Sequence, residues 1–179
     1  MTKLISPEFR GSFVSLVTPR GIRGDASSTP KFQITIALDK KDAFWGKVKD
    51  AIEEAAKDKF GKVPPRLKSP LKDGDVSGYD NLEGMLTLGA SNTRRPGVVG
   101  PDLQPVLDPD VLFSGAWYRA SIRPYAWSHP TGGKGVSFSL DNVMYIRGDE
   151  AFDGSATAET DFSEYAVEQS SGGEDDLLG

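Results

Sequence analysis

The sequence predicts a mainly β protein: a small five-stranded barrel carrying one amphipathic α-helix, followed by an acidic C-terminal tail. Three observations carry this reading. Period-two runs of apolar residues dominate the body of the 179-residue chain, one segment changes to helical spacing, and every base lies before Gly148.

The first strand is read in FRGSFVSLVTP, residues 9–19, and the second in PKFQITIALD, where Phe32, Ile34, Ile36 and Leu38 share one face. Between them RGIRGDASST, with Gly21, Gly24 and Pro30 around it, reads as a hairpin loop that carries Arg20 and Arg23. From Lys40 to Phe60 the apolar positions Phe44, Val48, Ala51, Ile52, Ala55 and Phe60 follow helical spacing. Asp39 is the expected N-cap, and Gly61 with Pro64 and Pro65 supplies the stop. Trp45 lies beside the apolar stripe and is read as packing. KVPPRLKSPLKDGD is then expected as an extended basic loop holding Lys62, Arg66, Lys68 and Lys72. LEGMLTLGAS is a third strand, with Leu82, Leu86, Leu88 and Ala90 in phase, and NTRRPGVVGPDLQP a loop carrying Arg94 and Arg95. The last two strands are GAWYRASIRPYAW and GVSFSLDNVMYIR, joined by HPTGGKG with Lys134. In the final one Val136, Phe138, Leu140, Met144 and Ile146 are expected inside, with Ser137, Ser139, Val143, Tyr145 and Arg147 on the other face.

Composition narrows the function. There is no Cys and one His, His129, so a disulfide framework, a thiol nucleophile, a zinc-hydrolase cluster and a His-based relay lack their residues. No cofactor is expected. The opening MTKLISPEFRGSF has no apolar run of signal length and no stretch is long enough to span a bilayer, so an intracellular protein is expected. The net charge of −5 is an average of two unlike parts: 21 bases against 16 acids up to Arg147, then 10 acids and no base. A basic body points to a polyanion, and an acidic, small-residue tail to a solvated interaction segment. We expect a domain over residues 1–152 and a disordered tail over 153–179. A flexible tail of that length reaches ~30 Å, enough to touch its own body.

The fourth strand suggests which polyanion. Its even positions Ala116, Tyr118, Ala120 and Ile122 are apolar, while the odd ones give Trp117, Arg119, Ser121, Arg123, Tyr125 and Trp127. Exposed indoles bring no stability, so another element or a ligand covers them. Unpaired bases stack on aromatic rings and guanidinium groups hold phosphates, so single-stranded nucleic acid fits this face. Duplex recognition would need a recognition helix or a basic arm, and neither is legible. Tyr145 is a further stacking candidate.

Five strands, one helix and basic loops fit a small Greek-key barrel of the oligonucleotide-binding kind, the OB-fold. The stretches PLKDGD, RRPGVV, FSGAWYRASIRPYAW and GKGVSFSLDNVMYIRGDEAFDG resemble a family of bacteriophage OB-fold single-stranded DNA-binding proteins, over roughly Phe9 to Gly154. The resemblance implies a protein of phage replication and recombination, acting in the host cytoplasm, that coats single strands and recruits replication enzymes through its acidic tail. Related tails often end in an aromatic residue, whereas this one ends Glu174, Asp175, Asp176, Leu177, Leu178, Gly179, so Leu177 and Leu178 would have to serve an apolar pocket instead.

The expected DNA-binding set is therefore Trp117, Arg119, Arg123, Tyr125, Trp127 and Tyr145, with Arg20, Arg23, Lys68, Lys72, Arg94, Arg95 and Lys134 on the loops. Binding is expected to be independent of sequence, with the tail competing for the same groove and no membrane partner; self-association is left open. Two rivals stand beside it. Asp73, Asp75, Asp80 and Glu83 could form a magnesium site for a nuclease, although DGD is ordinary turn chemistry. A strand-annealing or purely structural phage protein would share the basic groove.

Overall fold

The computed structural model describes residues 3–21 and 29–152, together with Tyr165. Arg23 and the tail residues Glu174 to Leu178 lie outside the described residues, as does nearly all of the expected tail.

Nine strands form one sheet: β1 (Leu4–Ile5), β2 (Phe9–Arg10), β3 (Ser12–Arg20), β4 (Lys31–Asp39), β5 (Leu71–Asp73), β6 (Met85–Asn92), β7 (Gly97–Val99), β8 (Trp117–His129) and β9 (Gly133–Arg147). The long strands β3, β4, β6, β8 and β9 match the five read from period-two runs, in the order β8-β9-β6-β4-β3, with β6 and β9 parallel and the other neighbours antiparallel. The first strand serves two edges. Its early residues pair with β8, Leu4 opposite Ile122 and Arg10 opposite Trp117, and its later ones with β4. The sheet therefore curls toward a barrel without closing in a continuous ladder.

Gly11 marks the break between β2 and β3. A Cβ there would lie 2.7 Å from the buried ring of Tyr118, so only glycine lets the chain pass. Two segments expected as loops contribute short strands. β5 pairs Leu71 with Leu88, and β7 runs parallel to β9. Leu67, Leu71 and Val98 explain this, since they pack on the core and draw proline-rich chain onto the sheet.

The one α-helix among the described residues, α1 (Phe44–Phe60), buries Phe44, Trp45, Val48, Ala51, Ile52 and Ala56. It packs against β8 and β9. Its start differs from expectation. The Asp42 carboxylate accepts the Phe44 N–H at 2.9 Å, while Asp39 accepts from Lys41 one turn earlier. Gly61 ends the helix at φ 78°, as expected. Trp45 is 2% exposed and donates its indole N–H to the Asp39 carbonyl, which satisfies the one polar atom of a core ring. No helix among the described residues is long and apolar enough to cross a membrane.

The expected faces hold along β8 but fail along β9. Ser121 pairs with Asn142 and Ile122 with Leu140, so Asp141 is an extra residue, and a second irregularity follows at Ile146. Each bulge shifts the alternation by one. Val136, Phe138 and Leu140 face the core as expected, but beyond Asp141 it is Val143, 2% exposed, that is buried, whereas Met144 and Ile146 are only half-buried. Tyr145 joins the core side, edge-to-face with Tyr118 at 6.1 Å.

Candidate nucleic-acid interface

The core residues Ile34, Ala90, Phe138 and Ile122 are neighbours, in strand order, of Gln33, Ser91, Ser139 and Arg123, which point the other way. Register makes these last four a row. Ser15 pairs with Gln33, Gln33 with Ser91, Ser91 with Ser139 and Ser139 with Arg123. Four adjacent strands, β4, β6, β9 and β8, at ~4.8 Å spacing give an accessible polar path of ~14 Å, while on β3 Ser15 is buried and donates to the Thr18 carbonyl. Thr35 opposite Gly89 widens that floor on β4 and β6.

Aromatic residues stand at both ends. At the β8 end, Tyr125 pairs with Ser137 and Trp127 with Gly135. The Trp127 ring lies over Gly135, where a Cβ would sit 2.4 Å from its Cζ2, and its N–H donates to Ser137 Oγ at 3.0 Å. Glycine thus seats the indole flat on the strand, half-buried, with Tyr125 36% exposed beside it. At the β3 end, Phe13 and Tyr79 meet edge-to-face at 5.3 Å and remain 45% and 51% exposed. They line a groove of about 600 Å³ with Thr35, Lys72, Thr87 and Gly89.

Bases flank the path. Arg20 and Lys31 pair at the end of β3 and β4, Arg94 and Arg95 follow β6, Lys72 pairs with Thr87, and Lys68 bridges to Gly135 beside Trp127; all are exposed. Arg123 is held by Asp141, which accepts from its Nε at 2.6 Å and raises its already high pKa, so it stays charged.

Other expected residues are engaged elsewhere. Trp117 donates its indole N–H to Asp149 at 2.8 Å and lies under the Arg147 guanidinium at 4.5 Å. Arg119 donates to the Ser6 carbonyl, Lys134 sits over the Phe60 ring of α1, and Tyr145 packs on Tyr118. The six-residue face read along β8 thus divides at Ser121, opposite the Asp141 bulge of β9. Arg123, Tyr125 and Trp127 join the path, while Trp117 and Arg119 turn to the N-terminal strands, where Trp117 lines a cavity with Phe9, Arg10, Met85 and Phe152.

The aspartates of the rival nuclease reading have structural partners. Asp73 and Asp75 both bind Lys40, at 2.9 and 2.5 Å, and Asp75 also accepts the Gly84 N–H. Lys40 and these hydrogen bonds hold both carboxyls below the usual range, as expected of a turn tied to α1. Among the described residues no group of three or more acids or histidines could hold a metal.

Sequence reading missed Phe13 and Tyr79. Phe13 is one of several apolar residues in its strand; parity with the buried Val14 and Leu16 puts it on the outward face, and its φ of 51°, a left-handed value rare for a large side chain, falls at the irregularity between Ser12 and Ser15. Tyr79 follows the DGD turn in a loop whose path no periodicity reveals.

Residues 2–172 match the family model described as the single-stranded DNA-binding protein of Enterobacter phage Enc34. The chain belongs to this phage protein family. Among solved structures it is similar to the Enc34 single-stranded DNA-binding protein in complex with single-stranded DNA, at 27% identity and a TM-score of 0.73, covering 84% of this chain and 89% of that one. It shares its fold alone with the single-stranded DNA-binding protein gp2.5 of bacteriophage T7, at 15% identity and a TM-score of 0.59, covering 94% and 97%. A putative protein, p50, of Acyrthosiphon pisum secondary endosymbiont phage 1 is 38% identical over 89 residues; the match spans 49% of this chain and about half, 47%, of that protein. The fold is the OB-fold expected from the sequence, with short strands added to the five.

Proposed function

We propose that the protein binds single-stranded DNA without sequence preference during phage DNA replication and recombination in the host cytoplasm, and that it is not an enzyme. The observation that carries this reading is the polar row from Gln33 to Arg123, with exposed aromatics at both ends and bases alongside. Its small side chains admit a sugar-phosphate backbone, its rings offer stacking surfaces to any base, and its bases neutralise phosphates. Membership in a family described as phage single-stranded DNA-binding proteins supports the same ligand. In this reading Tyr125 and Trp127 stack bases, and Arg123, Lys68, Lys72, Arg20, Arg94, Arg95 and Arg23 contact the backbone. The acidic residues beyond Asp153 recruit replication proteins, with Leu177 and Leu178 as the apolar contact.

Tryptophan fluorescence titrated with oligo(dT) at several salt concentrations tests this. Quenching is expected, and four to six phosphate contacts give a slope of log affinity against log salt of about −3 to −4. Affinity that does not respond to salt, or is confined to duplex, would refute it.

A further inference from the structure

We infer that Phe13, Tyr79 and Ser12 form a dedicated nucleobase subsite where the path ends at β3. The inference rests on the single-stranded DNA reading above and adds residues that the sequence did not suggest. Three independent features converge there. The first is backbone strain. Phe13 holds φ at 51°, a conformation costly for a phenylalanine, at the irregularity between Ser12 and Ser15 in the β3–β4 pairing, and its ring is 45% exposed on the face opposite the buried Val14 and Leu16.

The second feature is the pairing of the rings. Tyr79 comes from the loop after the DGD turn, and the 80° interplanar angle fixes both rings before any ligand arrives. That loop is held by Lys40 on Asp73 and Asp75 and by the Ser77 hydroxyl, which donates to the Gly74 carbonyl and accepts the Tyr79 N–H. The third is Ser12. Its hydroxyl is buried, has no hydrogen-bond partner among the described residues, and lines the same cavity as Phe13 and Tyr79. A buried hydroxyl left unpaired costs stability, and a donor or acceptor from a ligand would remove that cost. An aromatic surface beside an unpaired hydroxyl suits an unpaired base, which has a flat apolar face and polar edges. Lys72, on the neighbouring groove wall, is placed for the phosphate.

The test compares Phe13→Gly, Tyr79→Ala and Ser12→Ala with the unsubstituted chain and with Trp127→Ala, by fluorescence anisotropy of labelled oligo(dT) and by thermal denaturation. Glycine accepts the φ of residue 13, so Phe13→Gly should keep its melting temperature within a few degrees while affinity falls ~5- to 100-fold. Tyr79→Ala should lose affinity over the same range. Ser12→Ala should melt no lower than the unsubstituted chain yet bind a few-fold more weakly, a combination that a structural role for Ser12 does not give. Full affinity in folded Phe13→Gly and Tyr79→Ala, beside weakened Trp127→Ala, would overturn the subsite and leave the general reading standing. Failure of the unsubstituted chain to bind oligo(dT) would overturn both.

Discussion

Trp117 and Trp127 are ten positions apart on one strand and share a face by parity, yet their surroundings give them different work. Trp127 lies half-buried over a glycine with its indole N–H on Ser137, whereas both polar and π contacts of Trp117 are made to Asp149 and Arg147. Trp127→Ala should therefore weaken oligo(dT) binding by ~5- to 100-fold with little loss of stability. Trp117→Ala should cost ~1 kcal/mol of stability, read as a melting point ~2–4 °C lower, with the smaller effect on binding. Asp149 adds a pH signature. The Trp117 N–H, then the Glu150 N–H and the nearby Arg10 and Arg147, hold its carboxyl below the ordinary range. A carboxyl lowered on folding stabilises above its unfolded pKa and loses that contribution as pH falls through the folded one. The difference in melting temperature between the unsubstituted chain and Asp149→Asn should stay constant from pH 8 to about 5 and shrink below about 4.

Elements were legible where one physical signal dominated. The period-two runs of β4, β6 and β8 and the helical stripe of α1 survive folding because each buries a single face against one core. The β9 face was legible only up to Leu140, since a bulge is one residue added to a ladder and leaves the local pattern unchanged. The same limit hid the break at Gly11, which depends on the Tyr118 ring arriving from β8. Strands β5 and β7 were illegible because proline-rich chain joins the sheet only through contacts of Leu71 and Val98 made in the folded state. The β8-β9 pairing yields its own prediction. Gly135→Ala places a methyl where the Trp127 ring lies and should lift the indole from the strand. Oligo(dT) affinity should fall toward that of Trp127→Ala, and tryptophan emission should shift to the red as the ring becomes more exposed.

At the scale of the molecule, charge segregation was the most readable feature and its geometry the least. Counting shows a body of net positive charge and a tail without bases, but not that Arg20, Lys31, Arg94, Lys72 and Lys68 gather along one face of a curled sheet. That gathering needs strands far apart in sequence to pair in register. The arrangement also gives the tail a target. The described chain leaves the barrel at Phe152, which shares one cavity with Phe13 and Tyr79, so the acidic residues that follow start beside the proposed track. A tethered polyanion there has an effective concentration of order millimolar. Deleting the residues after Gly154 should tighten oligo(dT) binding at low salt, with the gain fading as salt rises; unchanged affinity would remove the competition.

In the proposed mode of binding, single-stranded DNA crosses the outward face of the sheet from β8 to β3. The barrel offers a control surface, because the exposed side of α1 carries Lys47, Lys49, Lys57 and Lys59. Photocrosslinking with 5-iodouracil-substituted oligo(dT), followed by peptide mapping, reads the path directly. Adducts are expected on Tyr125 or Trp127 at one end and on Phe13 or Tyr79 at the other, and adducts concentrated on the α1 peptides, with none on those four residues, would contradict it.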